Sequence, residues 1–270
     1  MDKRLEHGGT GPKLQLLHAN GYPPECYNTF LEPLTRHHKV HSFRQRPLWS
    51  EDVPKSTRKW KLFAEDLIEM MDEYGDKGVI GLGHSLGGIA TFMASLTRPD
   101  LFKEIVLIDP VIPPYWSVQL MTYTPNRYKS RILPLIKMAE KRRNKWSDRE
   151  EARAHLGSKK VYQRFHPEVF DDFIESGLKE SADGGLTLSY SREWEAEVYR
   201  NGPNIWPLLS KSTVPVHIIK AQYSDVITSN AWAKIKTKVS PGRFYEMPNV
   251  GHLIPFEKPH LLADYLINKL

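Results

Sequence analysis

Short apolar runs alternate with longer stretches whose apolar residues recur every three or four positions, in two regions separated by one where the rhythm fails. The first region predicts strands at Lys13–His18 and Lys39–Phe43 around a helix over about Glu25–His37. A helix over about Thr57–Tyr74 follows, with Trp60, Phe63, Ala64, Leu67, Ile68 and Met71 at helical spacing. Strand Val79–Leu82, helix Leu86–Leu96 and strand Glu104–Ile108 complete it. The second region predicts helix Asn204–Leu209, strand Val214–Lys220, helix Ser229–Val239, strand Arg243–Met247 and helix Pro259–Lys269. Such alternation implies an α/β fold: a mostly parallel, doubly wound sheet with helices on both faces.

From about Val111 to Pro203 strand-like runs are scarce, helical spacing is common (residues 131–138), and large aromatics are frequent. This stretch predicts a helical cap, 111–203, inserted into a core of residues 1–110 and 204–270. It is expected to fold over the carboxyl edge of the sheet, where open α/β sheets bind ligands.

Composition changes this picture little. Hydrophobic residues at 40% and charged ones at 26% are ordinary for a soluble globular chain. No run approaches the ~20 apolar residues of a membrane span, so no stable membrane insertion is expected. The charged start, Met1 to His7, lacks a following apolar stretch, and the single Cys26 cannot form an internal disulfide. Both point to a cytoplasmic location, with Cys26 a structural thiol. The net charge of +6 concentrates at Lys137, Lys141, Arg142, Arg143 and Lys145. Glu140, Asp148, Glu150 and Glu151 dilute it, so a solvated helix face is expected rather than a nucleic-acid surface. No metal-ligand cluster or cofactor motif is present in the sequence, and His37-His38 reads as a helix end.

Chemistry concentrates at Gly83-His84-Ser85-Leu86-Gly87, between the strand ending at Leu82 and the helix beginning at Leu86. A serine at the apex of a strand–turn–helix, flanked by near-absent side chains, has the pattern of a nucleophile elbow. A serine hydroxyl needs a base to take its proton, and the base needs an orienting acid. His252, in the post-strand loop 248–255, is the candidate base. Asp225 and Asp109 each follow a strand and could each reach its far nitrogen; Asp225 is preferred, with Asp109 the alternative. An oxyanion requires two donors. These are expected from the backbone N–H groups of Leu86 and Asn20, the latter in the loop His18-Ala19-Asn20-Gly21, with Ala19 or Gly21 as neighbouring candidates.

This set of motifs, which spans nearly the whole chain, resembles that of α/β-hydrolase-fold serine hydrolases with a cap domain. The resemblance implies triad roles for Ser85, Asp225 and His252, and oxyanion roles for Asn20 and Leu86. Three features depart from the usual pattern. His18-Ala19 replaces His-Gly, Arg44 to Trp49 replaces a glycine-rich loop, and few residues precede the first parallel strand. The first hairpin should therefore be very short or absent, leaving six or seven strands. Trp49, beside Arg46, and Trp116 in the cap are expected to line a substrate pocket. The expected activity is cleavage of a small-molecule ester or related acyl compound, with an apolar group under the aromatic cap. Acyl transfer and carbon–carbon cleavage use the same triad, and a ligand-binding protein on this scaffold is the reading from another class.

Overall fold

A computed structural model describes residues 2–50, 52–53, 60–182 and 184–270. The chain begins with β1 (Arg4–Gly8), β2 (Lys13–Leu17), helical turns over 24–36 that contain α1 (Asn28–Leu31), and β3 (Lys39–Phe43). It continues through α2 (Lys61–Glu73), β4 (Val79–His84), α3 (Leu86–Thr97) and β5 (Phe102–Ile108). Then come α4 (Tyr115–Tyr123), α5 (Asn126–Ile132), α6 (Pro134–Glu140), β6 (Lys145–Trp146), α7 (Arg149–Gly157), α8 (Pro167–Ser176), β7 (Leu178–Glu180), β8 (Leu186–Leu188) and α9 (Arg192–Arg200). The chain closes with β9 (Val216–Tyr223), α10 (Ser229–Lys238), β10 (Gly242–Gly251), α11 (Ile254–Glu257) and α12 (Pro259–Ile267).

The main sheet has seven strands in the order β1-β3-β2-β4-β5-β9-β10, all parallel except β1. Successive strand residues point to opposite faces, so a strand covered on both sides must be apolar throughout. β5 shows this: Ile105 and Leu107 join the core under α2, α3 and α10, while Val106 and Ile108 join the core under α1 and α12. Strand order reverses between β2 and β4, so the loops after these two strands diverge and leave a crevice at the carboxyl edge.

Several elements differ from expectation for local reasons. The first strand is present: β1 pairs antiparallel with β3 at the sheet edge. The buried Asp76 carboxylate secures that edge, accepting hydrogen bonds from Lys13 at 2.7 Å and Arg4 at 3.4 Å. The helix expected over 25–37 is broken into 3₁₀ and α turns, with Pro33 lacking the N–H a continuous helix needs. Pro134 likewise separates α5 from α6, and residues 204–208, with Pro207 among them, are irregular chain and a turn rather than a helix. Residues 57–59 of the expected α2 lie outside the described residues; the described helix starts at Lys61. The segment between β5 and β9 is mainly helical but also holds a small antiparallel sheet, β6-β8-β7. Among the described residues, no helix is long and apolar enough to cross a membrane.

Candidate active site

Ser85 follows β4 at the N-terminus of α3, with φ 54° and ψ −115°. That conformation is costly for a residue with a side chain and persists only where its surroundings impose it. Two glycines make it feasible. A Cβ on Gly87 would lie 2.1 Å from the Leu17 carbonyl oxygen, and one on Gly83 would lie 2.5 Å from the Gly87 carbonyl oxygen. The elbow can therefore press against the end of β2 only without those methyl groups.

His252 follows β10. Its Nε2 is 2.9 Å from Ser85 Oγ, and its Nδ1 is 2.7 Å from Asp109 Oδ2. A carboxylate only accepts, so Nδ1 carries the proton and Nε2 accepts from the serine hydroxyl. Asp109 is fully buried, and its carboxylate also accepts from the Ala221 N–H at 2.9 Å and the Ser224 hydroxyl at 2.8 Å. Burial disfavours the His252 imidazolium. The hydrogen bond and charge of Asp109, helped by Asp225 and Glu257, outweigh it and raise the pKa above the usual 6.5.

The preference for Asp225 is thus reversed by the structure. β9 extends past the expected Lys220 to Tyr223, which carries Asp225 onto an exposed loop where it acts on His252 only through space. Register supplies the reason. Ile108 pairs with both His84 and Ile219, so Asp109 emerges level with Ser85, one residue past the sheet edge.

The loop after β2 is bound tightly. His18 donates from Nδ1 to its neighbour's carbonyl at Ala19 (2.9 Å) and accepts the Gln45 N–H at Nε2 (3.0 Å); burial lowers its pKa to about 4, so it is neutral. The Ala19 N–H donates to the Tyr27 hydroxyl at 2.9 Å, which removes it as an oxyanion donor. Among the described residues, the N–H groups of Asn20 and Leu86 make no backbone hydrogen bond. The Tyr27 hydroxyl in turn donates to His84 Nδ1 at 2.8 Å, and His84 Nε2–H donates to the His252 carbonyl at 3.0 Å. Burial, reinforced by nearby His252, lowers the His84 pKa to about 3, so this bridge between the two loops is uncharged. Tyr27, His84, Gln45 and Ser224 had no role assigned from sequence. Only His84, inside the serine motif, carried a local signal.

The two tryptophans expected to line the pocket have these surroundings among the described residues. Trp49 donates its indole N–H to the Arg44 carbonyl at 3.0 Å and is covered by Lys3 and Arg46, while Arg46 pairs with Asp66 of α2. Trp116 is 69% exposed and lines a groove of about 780 Å³ with Trp206, Lys234 and Lys238, which contains none of Ser85, Asp109 and His252. The insertion's aromatics are largely spent on packing: Trp146, Tyr162, Phe165, Phe173 and Trp194 are buried. Cys26 is buried and its thiol pKa is raised, as for a structural residue. The basic cluster is not all solvated, because Arg142 turns inward to Glu195 at 2.9 Å. One trio with metal-ligand chemistry, His166, Glu168 and His260, stands on the surface between α8 and α12.

A seven-stranded, mostly parallel sheet with serine, histidine and aspartate joined at its carboxyl edge defines a class. The profile of the alpha/beta hydrolase family matches residues 16–265, and the chain belongs to that family. It is similar to the AB hydrolase superfamily protein YfhM of Bacillus subtilis, with 25% identity over 274 residues covering 96% of this chain and 91% of that protein. It is also similar to the abhydrolase domain-containing protein ACTT2-1 of Alternaria alternata, with 25% identity covering 70% and 81%. The solved structure of E-2-(acetamidomethylene)succinate hydrolase shares the fold at TM-score 0.80, with 20% identity covering 98% of this chain and 93% of that one.

Proposed function

We propose that the protein is a serine hydrolase that cleaves a carboxylic ester or related small acyl compound through an acyl-enzyme on Ser85. The observation that carries this reading is the continuous hydrogen-bonded line from Ser85 Oγ through His252 to Asp109. His252 Nε2 takes the hydroxyl proton as Oγ attacks the carbonyl carbon, while Asp109 holds the imidazole in the accepting tautomer and stabilises its positive charge. The oxyanion develops beside the N–H groups of Asn20 and Leu86, and α3 directs its positive dipole end to the same place. Collapse of the tetrahedral intermediate passes the proton from His252 to the leaving alcohol. Water then repeats the sequence on the acyl-enzyme and releases the acid. Residues 111–203 act as the cap over a core of 1–110 and 204–270, and Ser85, only 6% exposed, lies enclosed. Fold neighbours named as a hydrolase, an esterase and a thioesterase domain accord with this chemistry.

A fluorophosphonate probe tests the nucleophile. The parent should be labelled on Ser85 and hydrolyse p-nitrophenyl esters, and Ser85→Ala should lose both properties. Equal labelling of parent and variant would remove the assignment.

A further inference from the structure

Three polar atoms around the loop after β2 have no partner among the described residues: Glu195 Oε2, Tyr190 Oη and Asn20 Oδ1. All three residues are buried, with 3%, 2% and 7% of their surface exposed. Buried polar groups are almost always hydrogen-bonded, and leaving one unpaired costs about 1–3 kcal/mol, more if charged. Three together therefore call for an explanation.

Their placement is specific. α9 carries Glu195 against the loop: a Cβ on Gly21 would lie 3.5 Å from the Glu195 carboxyl carbon. Glu195 Oε1 accepts from Arg142 at 2.9 Å and from the Tyr199 hydroxyl at 3.5 Å, while Oε2 has no partner among the described residues. The Asn20 side-chain nitrogen donates to the Glu195 carbonyl at 3.2 Å. A carbonyl only accepts, so this bond fixes the amide with Oδ1 as the unpaired atom. Tyr190 packs edge-on against His18, with ring centroids 6.3 Å apart. The unpaired atoms are thus two acceptors and one hydroxyl, held around the residue assigned as an oxyanion donor.

We infer that Glu195, Asn20 and Tyr190 form a substrate subsite that takes an O–H or N–H donor close to the scissile carbonyl. The preferred substrates are then neutral or cationic acyl compounds bearing a hydroxyl or amide N–H, rather than plain alkyl esters. An anionic group would bring no donor to the free oxygen of Glu195 and would compete with Glu195 for Arg142. The inference rests on the serine hydrolase reading above and narrows the substrate expected from aromatic content alone.

The test compares p-nitrophenyl butanoate with its α- and β-hydroxy analogues and with p-nitrophenyl N-acetylglycinate, each corrected for spontaneous hydrolysis. A hydrogen bond to a charged group is worth about a 10–100-fold preference. At least one donor-bearing ester should exceed butanoate in kcat/KM by that factor. Glu195→Gln and Tyr190→Phe should each cut the ratio to about threefold or less. Tyr190→Phe removes an oxygen that makes no hydrogen bond among the described residues, so its Tm should match the parent even if Glu195→Gln fails to fold. With Ser85 labelled by fluorophosphonate, either equal turnover or no turnover of all esters overturns the subsite. A preference that survives Tyr190→Phe also overturns it. Failure of the parent to label sinks the underlying reading instead.

Discussion

Two aspartates compete for His252, and their positions separate them chemically. Asp109 donates order as well as charge, since its carboxylate is held by Ala221 and Ser224 while it fixes Nδ1–H. Asp225 adds only a distant charge from an exposed loop. Asp109→Asn should lower kcat by about 10³–10⁴-fold through the wrong imidazole tautomer. It should also shift the acid limb of the pH profile. A general base works when neutral, so kcat/KM falls as pH drops through the His252 pKa. In the parent that midpoint lies above the usual 6.5; without Asp109, burial dominates and the midpoint moves down. Asp225→Asn should stay within about tenfold of the parent and lower the midpoint only slightly. A pH–rate series on the three proteins checks this, and an inactive Asp225→Asn beside an active Asp109→Asn would restore the original preference.

At the scale of elements, the elbow depends on how closely α3 approaches β2. Gly87→Ala would force a methyl to within 2.1 Å of the Leu17 carbonyl, where the contact is backbone and cannot rotate away. We expect at least about 2 kcal/mol of destabilisation, with loss of ester turnover, measured by urea unfolding and kinetics. An Ala variant with parent stability would show that α3 can shift freely. The strand–turn–helix around Ser85 was legible because its signals are local: apolar runs, glycines at fixed offsets and a helical pattern. The acid was not legible. Asp225 and Asp109 both follow strands, and only the register that sets Ile108 opposite His84 and Ile219 separates them. Proline explains the misread helices, since 25–37 and 204–209 kept helical spacing while Pro33 and Pro207 interrupted the hydrogen bonding. The same limit hid Arg142, read with the basic cluster as part of a solvated helix face until tertiary packing turned it inward to Glu195.

Over the whole molecule, burial of neutral histidines links folding to pH. His7, His18 and His217 have pKa values lowered to about 4, and His84 to about 3, chiefly by burial. In the unfolded chain these imidazoles return to near 6.5, so as pH falls the unfolded state binds protons first. Their contribution is present above pH 6.5 and is lost as pH falls toward 4. His252 acts in the opposite sense, because its raised pKa favours the fold at low pH, but it stands against these four and against His38 and His155, whose pKa values burial also lowers. Thermal melts should show a Tm that is steady above about pH 7 and declines between 6.5 and 4; a flat Tm across that window would contradict the burial of these rings.

The hydrogen bond from Ser85 to His252 spans 167 positions, and that from His252 to Asp109 spans 143. Ser85, Asp109, Asn20 and Leu86 precede the segment between β5 and β9, whereas His252 follows β10, at the far edge of the sheet. On the proposed reading, synthesis therefore delivers the serine well before its base. Until the last strand is made, an emerging chain that already carries Ser85 has no His252 imidazole to take the hydroxyl proton. On the proposed mechanism, Ser85 becomes a nucleophile only when the final strand docks and sets His252 beside it.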